Sequence, residues 1–231
     1  MAAALRLPDA VVAVYEPDTA PPEGYMSGDR GLGMGTESRV GPPALPRDRL
    51  DRDDWSLAED EVETLFSLPT ARVEGHTQVY EDAGLRRAVT DATGVDHMWR
   101  FFFATRVSFT PSLPAGVAPL IRSRVAREAR EAFAEDLVDR GFERVVKGET
   151  NRAGVRSGAR AEFTPFKTTY TLPDDRSLEF EGFLAVWSDD GFVIAGGAYP
   201  ADLDATLSTD VGADAEAYRS ELLELIRSVR G

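Results

Sequence analysis

Residues 99–109 show the clearest alternation of apolar and polar positions in the chain. The apolar positions of this run are Trp99, Phe101, Phe103, Val107 and Phe109. Arg100, Arg106 and Ser108 stand at alternate positions, so a strand here has one apolar and one polar face. A strand with one face in water is typical of an antiparallel sheet.

A stripe of apolar residues with a spacing of four predicts a long helix over residues 117–140. The stripe consists of Val117, Ile121, Val125, Ala129, Phe133 and Leu137. Gly141 follows the stripe and is expected to end the helix. On the opposite side, Arg124 and Glu128 lie four residues apart, and we expect them to form an exposed ion pair.

Three shorter helices are predicted from capping residues and apolar spacing. A capping box that begins at Ser56 predicts a helix over residues 57–68. Asp82 is expected to cap a second helix, over residues 83–92. An apolar stripe predicts a last helix over residues 213–230.

Six runs of apolar and β-branched residues, bounded by turn residues, are predicted to be strands. They are residues 73–80, 99–109, 142–150, 155–172, 177–187 and 192–199. Short turns between consecutive runs favour an antiparallel sheet, with the helices gathered on one side. The predicted fold is therefore α+β, an antiparallel sheet of five to six strands packed by a long central helix and a C-terminal helix.

The first 56 residues differ from the rest, because they hold seven of the 14 prolines and a cluster of glycines. Pro and Gly at this density suppress helices and strand ladders. We therefore expect an extended N-terminal segment over residues 1–56 and a single α+β domain over residues 57–231.

The charge of the chain restricts the classes of partner. Forty acidic and 26 basic residues give a net charge of −14, which opposes binding to nucleic acid and to anionic membrane surfaces. The chain has no cysteine, so thiolate metal sites and disulfides are excluded. No run approaches about 18 uninterrupted apolar residues and no secretory leader is evident, so we expect a cytoplasmic protein without a membrane span.

Lysine is nearly absent, since Lys147 and Lys167 are the only two. In molar salt the screening length falls to about 3 Å, so a surface rich in carboxylates no longer repels itself strongly. This composition, together with the phrases RFFFATRVSF and GFVIAGGAYP, resembles an uncharacterised protein family of halophilic archaea, and the resemblance implies no activity. The element order is also similar to α/β/α sandwich modules of the PsbP type, which implies a binding or assembly factor.

The candidates for catalytic chemistry are few. The Gly-rich segment at residues 28–38 lacks the following helix and the Lys of a phosphate-binding loop, and we expect no cofactor. His76 and His97 are the only histidines. The alternative hypothesis is a metal-assisted hydrolase. Its metal would be bound by both imidazoles together with nearby carboxylates.

The favoured hypothesis is a non-catalytic binding or assembly module for a protein or a small apolar ligand. Lys167 is unusual in a chain that has only two lysines, and it lies in the same predicted strand as Tyr170. Phe102 shares its strand face with Arg100 and Arg106, which predicts either an exposed contact patch or a second packed layer. These five residues are the predicted ligand-binding residues.

Overall fold

The fold is seen in a computed structural model, which describes residues 40–68, 71–112, 117–189, 191–208 and 211–231. The Gly-rich segment at residues 28–38 lies outside the described residues. The strands are β1 (Trp55–Leu68), β2 (Ala71–Asp82), β3 (Phe101–Thr110), β4 (Phe142–Lys147), β5 (Asn151–Gly154), β6 (Arg160–Thr171), β7 (Ser177–Ser188) and β8 (Phe192–Pro200). The helices are α1 (Arg47–Arg52), α2 (Ala83–Thr93), α3 (Val117–Asp139), α4 (Leu203–Leu207) and α5 (Ala215–Ser228).

All eight strands belong to one sheet, in the order β1-β2-β3-β8-β7-β6-β4, and β5 also pairs with β6. Every pair is antiparallel. The α+β class and the antiparallel sheet are thus confirmed. The predicted count of five to six strands is wrong, because the described residues alone form eight strands of this sheet.

One extra strand is β1, where a helix over residues 57–68 was predicted. A capping box is a local signal, and pairing with β2 along the whole of β1 outweighs it. The register shifts between Leu57 and Glu59 and again between Thr64 and Phe66. Such irregularities break the period of two, so the sequence does not show the alternation of a strand.

The second extra strand arises because the predicted run over residues 155–172 begins with a hairpin turn. The amide of Val155 donates to the carbonyl of Ala159 over 3.0 Å, and Gly158 has a φ of +92°. Glycine adopts this left-handed conformation at little cost. The turn therefore separates β5 from β6.

Several local predictions are confirmed. The Asp82 carboxylate accepts a hydrogen bond from the amide of Leu85 over 2.8 Å at the start of α2, and Gly94 ends that helix in the left-handed conformation. Gly141, with a φ of +90°, follows α3. The predicted ion pair of Arg124 with Glu128 is wrong, because Glu128 is only 2% exposed and pairs with its neighbour Arg127.

The helices lie on both faces of the sheet, so the prediction that they gather on one side is wrong. The cluster on one face, called here the α3 face, includes Phe133 of α3, Leu85 of α2 and Leu203 of α4. The cluster on the other face, the α5 face, includes Leu50 of α1 and Leu225 of α5. The long helix is therefore an outer layer of an α/β/α sandwich rather than a central element.

The predicted polar face of β3 is also wrong. Phe102 is fully buried and Arg100 is 4% exposed, both on the α5 face. The next strand, β8, is buried along its whole length. A Cβ on Gly197 of β8 would collide with the backbone oxygen of Phe101 on β3 and lie 2.9 Å from the side chain of Leu222, so this glycine allows the close approach of β3 and of α5 at this point.

Candidate functional site

A groove lies on the α5 face, between α5 and the strands β5, β6 and β7. It encloses about 420 Å³, within the roughly 300–1,000 Å³ of most small-molecule sites. The residues that line it are Asn151, Ala153, Phe163, Pro165, Phe166, Lys167, Glu181, Gly182, Phe183, Arg219, Leu223 and Arg227. Among the described residues, we take this groove as the candidate functional site.

The centre of the groove is apolar because of the period of two along its strands. Phe163 and Phe183 contribute to the α5-face cluster from β6 and β7, and Ala153 from β5. Leu223 packs against the same cluster from α5. An apolar surface therefore runs across both the sheet side and the helix side of the groove.

Pro165 explains why the sheet is irregular beside the groove. β4 pairs with β6 as far as Phe166, and β5 resumes the pairing at Phe163. Between them, the amide of Gly148 donates to the carbonyl of Pro165 over 2.8 Å. Pro165 has no amide proton to donate in return, so the outer strand is broken into two short strands there.

One end of the groove carries a polar network around Glu181. Lys167 lies 3.0 Å from the Glu181 carboxylate, and the hydroxyl of Tyr199 donates to the same carboxylate over 3.0 Å. Burial raises the pKa of Glu181, but the hydrogen bonds from Lys167 and Tyr199 outweigh burial and hold the pKa below its ordinary value. Hydrogen bonding to Glu181 raises the pKa of Lys167, so both groups are charged at neutral pH.

Two arginines of α5 border the apolar centre. The Arg219 guanidinium lies over the Phe183 ring at 5.6 Å from its centroid, and that of Arg227 lies over the Phe163 ring at 5.7 Å. These separations allow weak cation–π attraction. Neither arginine forms an ion pair with a carboxylate in the described part of the chain.

The position of α5, and with it the width of the groove, depends on Arg100. Its guanidinium lies between the rings of Trp55 and Tyr218, at 4.7 and 4.2 Å from their centroids. It donates to Asp82 over 2.9 Å and to Glu221 of α5 over 2.6 Å. Arg100 therefore ties α5, β1 and the start of α2 to the sheet.

The five predicted ligand-binding residues are not brought together. Lys167 lines the groove, whereas Tyr170, three residues further along β6, faces the α3 face. Phe102 is buried beneath α5, so of the two alternatives for it the second packed layer is confirmed. Arg106 is half-buried. Its guanidinium lies beside Gly41, where it would be 3.6 Å from a Cβ added to that glycine. The binding roles of these residues stay predictions.

The two histidines lie on opposite faces of the sheet. His76 lies on β2 four residues before Tyr80, so both side chains are on the α5 face. The Nε2 of His76 lies 2.6 Å from the Asp60 carboxylate. His97 stacks on the ring of Tyr170 at 4.2 Å on the α3 face. No group of three His, Asp or Glu side chains suited to a metal ion occurs among the described residues, and the geometry does not support a shared metal site at both imidazoles.

Burial changes the protonation of His97. Burial, aided by the positive charges of Arg86 and Arg140, lowers the pKa of His97 to about 4. The imidazole is therefore neutral at physiological pH. It is better explained as part of the aromatic packing with Trp99 and Phe142 than as an exposed base.

A buried polar cluster under α3 was not predicted from the sequence. Arg140 lies 2.9 Å from Asp136 and 3.6 Å from Glu59 of β1. Burial raises the pKa of both carboxyl groups in spite of Arg140. The cavity beside them encloses about 10 Å³, the space of about one water, so the cluster has no room for an organic ligand.

Comparisons with known proteins give a family but no activity. Residues 42–230 match a family described as a domain of unknown function, DUF6517. No curated protein matches the chain. The crystal structure of the di-domain ARO/CYC StfQ from the steffimycin biosynthetic pathway aligns with 72% of this chain and 82% of its own, at 11% identity and a TM-score of 0.13, too low to indicate a shared fold. None of the described helices is long and apolar enough to cross a membrane.

Proposed function

The chain belongs to the DUF6517 family of domains of unknown function, and we propose that it is a non-catalytic cytosolic binding module whose groove holds a small apolar ligand. The observation that carries this proposal is the groove itself. It combines about 420 Å³ of space with an apolar centre made of Phe163, Phe183 and Leu223. A concave, mostly apolar site with a few polar groups is what a small ligand requires.

A small ligand suits this groove better than a protein partner. The apolar residues are recessed between α5 and the sheet, and Phe163 is only 6% exposed. A protein partner would need a broad accessible patch. Among the residues whose exposure is described, the other exposed large apolar residues are single ones, such as Val62 and Val146 at opposite edges of the sheet.

The metal-assisted hydrolase has less support. Such an enzyme would need His76 and His97 in one cleft with a carboxylate, and the two side chains face opposite sides of the sheet. In the groove, the acid–base pair of Lys167 and Glu181 is fully charged and mutually neutralised. A pair in this state is a poor general acid and base near pH 7.

The charge of the chain supports a function in concentrated salt. The net charge of −14 and the near absence of lysine suit a medium in which carboxylate repulsion is screened. We therefore include a salt-rich cytosol in the proposal.

A blocked groove tests the proposed function. Ala153→Trp places a large ring in the groove, whereas Val62→Trp places the same ring on an exposed position of β1, at the far edge of the sheet, and serves as the control. We expect 1-octanol to shift the NMR methyl signals of Leu223 in the wild type and in the control, and to leave them unshifted in Ala153→Trp. Equal shifts in all three proteins, or none in the wild type, would contradict binding in the groove.

A second experiment searches for the natural ligand. Mass spectrometry of the native protein, purified from its own cytosol, is expected to detect a co-purified small apolar molecule in the wild type. The same molecule should be lost in Ala153→Trp and retained in Val62→Trp. Retention in the blocked variant would place the molecule outside the groove.

A further inference from the structure

We propose that the ligand is an amphipathic anion, with an apolar chain along the centre of the groove and a carboxylate bound at Arg227. This inference rests on the proposed function and specifies its ligand class. It follows from the arrangement of charge along the groove, which differs from that of the chain as a whole.

Two arginines of the groove lie on one face of α5. Arg219, Leu223 and Arg227 follow one another at intervals of four, so they lie on one face of the helix. At 1.5 Å per residue, the two arginines are separated by about 12 Å along the helix axis. The groove thus has a guanidinium on each side of an apolar centre.

The lining of the groove carries more positive than negative charge. Three cations, Lys167, Arg219 and Arg227, face a single carboxylate, Glu181. Since Lys167 pairs with Glu181, the lining keeps an excess of positive charge in a chain whose net charge is −14. A site of this sign attracts an anion, while the surrounding acidic surface would repel one.

The two ends of the groove differ in the charged groups that line them. Lys167 pairs across the strands with Glu181 at the same end as Phe183 and Arg219, so an anion there would lie near a carboxylate. At the other end Phe163 pairs with Asn151, and Arg227 lies over Phe163. That end has a guanidinium and an amide and no acidic residue in its lining.

The chemistry of these groups favours a carboxylate. A guanidinium presents two parallel N–H donors that match a carboxylate, and the exposed Asn151 amide can add a further donor. The groove between the arginines is lined by Phe163, Pro165, Phe183 and Leu223, which suits an unbranched or aromatic hydrocarbon. The ligand class is therefore a monocarboxylate with an apolar body.

The test compares two ligands that differ in charge. Octanoate and 1-octanol are titrated into the full chain under the same KCl concentration, and the methyl signals of Leu223 and Ala153 are followed by NMR. We expect octanoate to bind at least about tenfold more tightly than 1-octanol, since hydrogen bonds to charged groups are among the strong ones.

Matched variants then locate the carboxylate. Arg227→Gln is expected to weaken octanoate binding about tenfold and to weaken 1-octanol binding by much less. Arg152→Gln removes the same charge from an exposed residue of β5 that pairs with Glu162, and it should change neither affinity. Arg219→Gln should have a smaller effect on octanoate than Arg227→Gln.

The outcomes separate this inference from the proposed function. If 1-octanol binds in the groove and octanoate binds no more tightly, the groove remains a ligand site and the anion is wrong. If Arg219→Gln alone abolishes the preference for octanoate, or if Arg227→Gln weakens both ligands equally, the carboxylate position is wrong. If neither ligand shifts the groove signals, the inference and the proposed function both fail.

Discussion

The Arg100 guanidinium lies 2.6 Å from the Glu221 carboxylate, although the two residues are 121 positions apart in the chain. This contact joins β3 to α5, and Trp55 also donates to Glu221 over 2.9 Å. Because α5 supplies one side of the groove, the site depends on a buried ionic cluster that lies outside its lining.

Arg100→Lys is expected to lower the free energy of unfolding by about 3 kcal/mol, because the two buried carboxylates would no longer both be contacted by one cation. An ammonium cannot lie flat between Trp55 and Tyr218 and reach both carboxylates. Arg86→Lys is the control, since Arg86 also binds two carboxylates but is 36% exposed, and its cost should stay below about 1 kcal/mol. Denaturant unfolding measures both, and equal costs would contradict the role given to Arg100.

The stability of the protein should depend on His97 between about pH 4 and 6.5. The pKa of His97 is lowered in the fold to about 4 from 6.5, so the unfolded chain takes up the proton first as the pH falls. The contribution of His97 to stability is therefore fully present above pH 6.5 and is lost as the pH falls toward 4, by about 3 kcal/mol. His97→Phe keeps a ring against Tyr170 and should remove this part of the pH dependence.

The titration of His97 can also be followed directly by NMR. A midpoint near 6.5 for its ring protons would contradict the burial described here, whatever the unfolding data show. His76→Gln is a suitable control variant, because it removes the other imidazole signal and leaves that of His97 in place.

Arg140→Gln is expected to destabilise the fold by about 3 kcal/mol at pH 7, since two buried carboxylates lose their cation. Burial already raises the pKa values of Asp136 and Glu59, and the loss of Arg140 should raise them further. Lower pH should therefore restore part of the stability of the variant relative to the wild type. A difference in unfolding free energy that stays constant from pH 7 to pH 5 would contradict this assignment.

Added KCl should stabilise the protein if its acidic surface is strained by self-repulsion. A variant with Asp91→Asn, Glu135→Gln and Glu149→Gln removes three exposed carboxylates that form no ion pair with described residues. We expect its melting temperature to rise less steeply with KCl below about 0.5 M, the range in which screening changes most. Identical slopes for the two proteins would contradict the electrostatic explanation.

Local signals were enough to predict several elements. The side chain of Asp82 and the left-handed Gly94 define α2 through contacts within a few residues. The stripe that ends at Leu137 of α3 needs only one apolar surface to pack on. Elements of this kind are visible in the sequence because their physical causes are adjacent in the chain.

Other features depend on contacts between distant residues. The strand β1 contains two register shifts that break the alternation of period two, and the pairing with β2 that stabilises it involves residues of another segment. The sequence pattern places Arg100 on a face that is expected to be exposed to water. In the fold it is buried, because Glu221 and Asp82 neutralise its charge in the interior. For the groove, the sequence indicated Lys167 alone, because Arg219 and Arg227 acquire their relation to Phe183 and Phe163 only when α5 packs on the sheet.

Intermolecular NOEs between 1-octanol and the protein test the central claim most directly, because they report which side chains touch the ligand. The account predicts NOEs from the alkyl protons to the methyl groups of Leu223 and Ala153 and to the rings of Phe163 and Phe183, which line the groove. NOEs confined to exposed residues such as Val62 and Val138, or no NOEs at saturating ligand, would contradict it.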